Sequence, residues 1–174
     1  RIGILGDIGS GKTYIAKKFG YPVFNADMEV AKLYQKDKKI FKKLKRILPE
    51  YFHSYPVEKK DISLAILNNK NNLKKIVNIV HQEIKKKMKF FLIKNRKKSY
   101  VILDIPLLLE NKIDKKNDIL VFVQTKKSDV LKRLRLRKNF DIKLIKKFKK
   151  IQLPLDYKKK KSQFIIKNDF KERT

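Results

Sequence analysis

Gly6-Asp7-Ile8-Gly9-Ser10-Gly11-Lys12-Thr13 is the stretch whose residue types and spacing most plainly do chemistry. It follows the short apolar run Ile2-Gly3-Ile4-Leu5, and a helical pattern begins at Lys12. The spacing G-x-x-x-x-G-K-T between a strand and a helix lets the backbone curl so that successive N–H groups face one concavity. Such a nest receives phosphate. The expected ligand is a nucleoside triphosphate, cradled by Gly6, Ile8, Gly9, Ser10, Gly11 and Tyr14 of the loop and helix start. Lys12 reaches the β- and γ-phosphates, and the Thr13 hydroxyl ligates Mg²⁺.

Three further groups could take part. Asp104 closes the run Val101-Ile102-Leu103-Asp104, where a second acidic group often supports the metal or its water shell; a structural carboxylate fits the same position. Asp27 follows the run Val23-Phe24, and at the carboxyl edge of a parallel sheet it could accept the proton of an attacking hydroxyl. As an alternative it caps a helix from Met28 onward. Arg133 and Arg137 are spaced i, i+4 and share a helix face, so they could close over a triphosphate or form part of a solvated basic surface.

The elements that must position these groups alternate in type. Continuous apolar runs predict buried strands at Ile2 to Leu5, Val23 to Phe24, Tyr100 to Leu103, Ile119 to Val123 and Gln163 to Ile166. Helices are predicted at Lys12 to Phe19, Met28 to Gln35, Ser128 to Arg137 and Asp141 to Ile151. Leu73, Ile76, Val77, Val80, Ile84, Met88, Phe91 and Leu92 keep three-to-four spacing through one long helix, with shorter amphipathic stretches at Ile40 to Leu48 and Ile62 to Leu67. Strands separated by helices predict a parallel sheet with right-handed crossovers. The expected organisation is one α/β domain over 1–174, with a core of about 1–33, 99–125 and 162–174, a helical insertion at 34–98 and a lid at 126–161. The lysine runs at 85–87 and 158–161 read as solvated helix surface.

Composition narrows the class. The 174 residues carry 47 Lys plus Arg against 17 Asp plus Glu, a formal net charge of +30. Lysine dominates this excess and is spread in pairs along the chain rather than gathered with Arg forks and aromatics, which argues against nucleic acid as the partner. There is no cysteine, and His53 and His81 are the only histidines, so disulfides and thiolate or histidine-rich zinc sites are excluded. No run is long and apolar enough to span a membrane, and no charged, apolar leader is visible at the start, so a cytoplasmic location is expected. The missing initiator Met and the ending Lys171-Glu172-Arg173-Thr174 suggest trimmed ends.

Several separated pieces together resemble the dephospho-CoA kinase family: I-G-I-L-G-D-I-G-S-G-K-T, V-F-N-A-D-M-E-V-A-K, V-H-Q-E, I-P-L-L-L-E-N, V-L-K-R-L-R-L-R and a late I-I-K-N. They keep the family's order over nearly the whole chain. The resemblance implies a P-loop kinase fold with a five-stranded parallel sheet, a helical acceptor-binding insertion and a mobile lid. The implied activity is ATP-dependent phosphorylation of the ribose 3′-hydroxyl of dephospho-CoA, with ATP and Mg²⁺ as cofactors and a monomer expected. By position, Asp27 matches the general base, Gly11, Lys12 and Thr13 the ATP and Mg²⁺ site, Arg133 and Arg137 the lid arginines, and Asn168 a residue near adenine. His81, Pro106, Leu107, Leu108 and Glu110 match the acceptor cleft, although His81 also fits a plain helix face beside Val80 and Ile84.

The chain departs from the family at Asp7, where Gly is usual and where a solvent-facing side chain is expected. Gln82 stands where Pro follows His, Asp169-Phe170 replaces a polar residue and Gly, and an arginine is missing around Ser63 to Leu67. Pro154 stands where a helix normally continues and predicts an early helix end. From the residues alone, another small-molecule or nucleoside monophosphate kinase, or a nucleotide-dependent RNA-binding protein, stays open as an alternative.

Overall fold

The computed structural model describes residues 1–136 and 141–171. It divides into two units, one formed by 1–25 with 95–174 and the other by 26–94.

The first unit is built on a five-stranded parallel sheet in the order β2-β3-β1-β4-β5. Its strands are β1 (Ile2–Gly6), β2 (Val23–Asn25), β3 (Ile102–Asp104), β4 (Ile119–Gln124) and β5 (Phe164–Lys167). β1 is central and buried at every residue, as its uninterrupted apolar run requires. Ile2, Ile4, Ile102, Val121 and Val123 form one core cluster with Ala16 of α1 (Lys12–Lys18). Each such fully buried aliphatic side chain contributes about 1.5–3 kcal/mol by leaving water. Gly3 belongs to this packing, because a Cβ there would lie 2.6 Å from Leu108 Cδ2 and 2.9 Å from Leu120 Cδ2. Parallel register brings Asn25 opposite Asp104, Gly6 opposite Val123 and Gln124 opposite Lys167, so the strands end along one common edge.

The second unit holds α2 (Ala26–Lys36), α3 (Lys38–Ile47), α4 (Lys59–Asn68) and α5 (Lys70–Lys94). Leu33, Ile40, Leu44, Phe52, Ile66, Ile76, Val80 and Ile84 are buried within it; Ile76, Val80 and Ile84 belong to the three-to-four spacing that marked the long helix, and Phe52 lies between α3 and α4. Asp37 caps α3 by accepting from the amides of Lys39 (2.8 Å) and Ile40 (3.1 Å). Because α2 starts at Ala26, Asp27 lies in its first turn rather than before it, where its charge still favours the helix.

After β4 the first unit continues through α6 (Lys127–Arg135), α7 (Ile142–Lys150) and α8 (Leu155–Lys161). Asp141 caps α7 through the amides of Lys143 and Leu144. α7 stops at Lys150 and Pro154 precedes a new helix, since a proline can precede or open a helix although it cannot continue one. The sequence reading of 158–161 as wholly solvated is corrected here. Lys158 is 1% exposed, and its neighbours Lys159 to Lys161 carry the exposed face.

Candidate active site

The common edge of the sheet carries the phosphate loop. Between β1 and α1 the chain turns with Gly11 at φ 87°, and the Ser10 amide donates to Asp7 O at 3.1 Å. Gly11 is required twice over. Its φ lies in the left-handed region, and a Cβ would collide with the Asn168 side-chain amide and lie 3.2 Å from Phe170 Cε1. The carbonyl of Ser10 accepts from Asn168 Nδ2 (2.9 Å) and from Thr125 Oγ1 (3.4 Å), so the ends of β4 and β5 brace the loop. Lys12 Nζ donates to the carbonyls of Asp7 (2.7 Å) and Gly6 (3.3 Å), which folds its ammonium back along the loop. No acidic residue stands in the first turn of α1. Ser10 is buried with its hydroxyl unpartnered among the described residues.

Beside the loop, Thr13 Oγ1 donates to Asp104 Oδ2 at 2.6 Å, and Asn25 Nδ2 donates to the same carboxylate oxygen and, at 3.3 Å, to Thr13 Oγ1. Asp104 is 3% exposed, so this buried charge is held by a hydroxyl and an amide. Among the described residues no group of three or more His, Cys, Asp or Glu could hold a metal. A hard cation here would therefore take oxygen from Thr13, Asp104, water and the phosphates of a nucleotide, the arrangement Mg²⁺ favours. Loop, hydroxyl and carboxylate thus fit a magnesium nucleotide. Sequence reasoning missed Asn25. The register logic that put Asp27 at the sheet edge applies equally to Asn25, which faces Asp104 directly.

The other expected residues are distributed more widely. Tyr14 lies in α1 and is exposed, with Lys18 Nζ 5.3 Å from its ring centroid. The Arg133 guanidinium lies 4.2 Å over the Phe170 ring, and Asn168 Oδ1 accepts the Phe170 amide at 3.1 Å. This stack brings α6 and the end of β5 together at the loop. Arg137 lies outside the described residues. Asp27 is exposed, two residues past Asn25. His81 sits on α5; burial, helped by Lys85, lowers its affinity for a proton, and its Nε2 is unpartnered among the described residues.

Pro106 and Leu107 are half-buried, and Leu108 is wholly buried where Gly3 makes room for it. Glu110 Oε1 takes Lys158 Nζ at 2.7 Å and the Leu153 amide at 2.9 Å. The signal for Lys158 was Leu155, three residues earlier and on the same face of α8. Asp7 does not face solvent. Its Oδ1 accepts the Ile8 amide at 2.7 Å and its Oδ2 meets Lys149 Nζ at 2.8 Å.

Comparison with known proteins places the chain in a family. The family model for dephospho-CoA kinase matches residues 1–173. A dephospho-CoA kinase of Wolbachia sp. subsp. Brugia malayi (strain TRS) is 32% identical over 127 residues, which is 70% of this chain. The match spans 65% of that relative's length, just under two thirds. In fold, the chain is similar to a Thermus thermophilus protein of known structure at TM-score 0.73 and 24% identity, covering 96% of this chain and 87% of that one. It is also similar to the dephospho-CoA kinase of Campylobacter jejuni at TM-score 0.62 and 23% identity, covering 98% and 88%. The chain belongs to the dephospho-CoA kinase family.

Proposed function

We propose that this chain transfers the γ-phosphoryl group of ATP to the ribose 3′-hydroxyl of dephospho-CoA, giving coenzyme A and ADP. The observation that carries this reading is the Thr13, Asp104 and Asn25 cluster beside a braced phosphate loop, in a chain of this family. Gly6 to Thr13 hold the triphosphate through backbone N–H groups, and Lys12 leaves the loop carbonyls to meet the β- and γ-phosphates. Thr13 and Asp104 hold Mg²⁺ or its water shell. When bound, the ion neutralises phosphate charge during transfer. Asp27 accepts the proton of the 3′-hydroxyl as its oxygen forms the new bond to phosphorus and ADP departs. Arg133, with Arg137, stabilises charge on the transferred group, and Asn168 lies toward the adenine.

In the same reading, 126–161 acts as a lid that excludes water and 34–98 binds the acceptor, with His81, Pro106, Leu107 and Glu110 contributing and Leu108 backing them. The proposed setting is the cytoplasm, and the working form a monomer.

Asp27→Asn tests the assignment of the base. Turnover with dephospho-CoA should fall by at least about 100-fold, the lower end for loss of a general base. ATP affinity, measured by calorimetry, should change less than about threefold. Retained turnover would remove Asp27 from the mechanism.

A further inference from the structure

Asp7 puts a carboxylate inside a loop built for phosphate. Its Oδ1 occupies the Ile8 N–H, a donor that such a loop offers to an anion, while its own carbonyl accepts from Ser10 N and Lys12 Nζ. A fixed negative charge there opposes a ligand carrying several negative charges, at separations too short for salt to screen. The only ion-pair partner among the described residues is Lys149, from the last turn of α7, at 2.8 Å from Oδ2. With its side chain 44% exposed, Lys149 contributes little to folding through this pair. Its larger consequence is electrostatic and falls on the ligand.

We propose that Lys149 is a positioning residue of the nucleotide site: by neutralising and holding Asp7 it lets the phosphate loop accept a triphosphate despite the carboxylate within it. The proposal rests on the reading of this loop as the ATP site. Lys149 also joins the last turn of α7 to the phosphate loop, so the same contact ties α7 to the strand edge.

Direct binding of MgATP to the full chain, measured by calorimetry without acceptor, tests this. Lys149→Met should weaken binding about tenfold, whereas Lys149→Arg, which keeps the charge, should stay within about twofold of the parent. In an Asp7→Asn background, where there is no charge to offset, Lys149→Met should cost less than about twofold. An unchanged dissociation constant for Lys149→Met, or an equal loss in both backgrounds, would overturn the coupling. Failure of the parent chain to bind MgATP at all would instead overturn the nucleotide reading of the loop. The two failures are therefore distinguishable.

Discussion

Thr13 Oγ1 and Asn25 Nδ2 both donate to one oxygen of the buried Asp104 carboxylate, so the start of α1 and the ends of β2 and β3 meet at a single acceptor. The phosphate loop was legible because G-x-x-x-x-G-K-T is a property of consecutive residues. Asn25 and the Asp7–Lys149 pair were not, because each depends on which residues the fold brings across the sheet edge or over 142 positions of chain. The cluster predicts that Thr13→Val will remove the Mg²⁺ dependence of nucleotide affinity. Calorimetry with and without Mg²⁺ should show a clear difference for the parent chain and almost none for the variant. His81 carries a pH prediction. Its folded pKa is depressed by burial and by Lys85, so the unfolded chain binds the proton more tightly and stability is lost as pH falls from about 6.5 toward the lower folded value. A His81→Asn variant should flatten that slope in urea titrations, and an unchanged slope would assign it elsewhere.

Elements were legible to the degree that one face decides them. The long α5 followed from an apolar stripe whose buried members, Leu73, Ile76, Val80 and Ile84, keep three-to-four spacing. For α8 the run Lys158 to Lys161 was legible as helix surface but not the burial of Lys158, because four like residues in a row give no sign of which one turns inward. Lys158 and Glu110 tie α8 to the segment after β3, and Glu110 also holds the Leu153 amide before the helix. Breaking such a buried pair from one side costs about 3–5 kcal/mol, because the remaining charge stays buried. Lys158→Met should therefore lower stability by about that amount in urea unfolding. The double variant Glu110→Gln with Lys158→Met should recover part of the loss. Equal destabilisation by single and double variants would show that Lys158 matters through packing alone.

At the scale of the whole molecule, the parallel sheet follows from the alternation of strands and helices and the belonging to a kinase family from motifs spread along the chain, whereas the strand order β2-β3-β1-β4-β5 came only from the structure. The net charge of +30 has a different bearing. Like charges in such excess repel within the folded chain, and salt relieves this by shortening the Debye length from about 30 Å at 0.01 M to about 10 Å at 0.1 M. The melting temperature should accordingly rise over that range, and a fall would show that ion pairs such as Arg1–Asp118 outweigh the repulsion. The acceptor is identified by ADP release from MgATP measured with dephospho-CoA, AMP, adenosine or no acceptor. Turnover is predicted with dephospho-CoA alone, with coenzyme A as the product. Equal or greater turnover with AMP or adenosine, or no acceptor-dependent release from a chain that binds ATP, would contradict it.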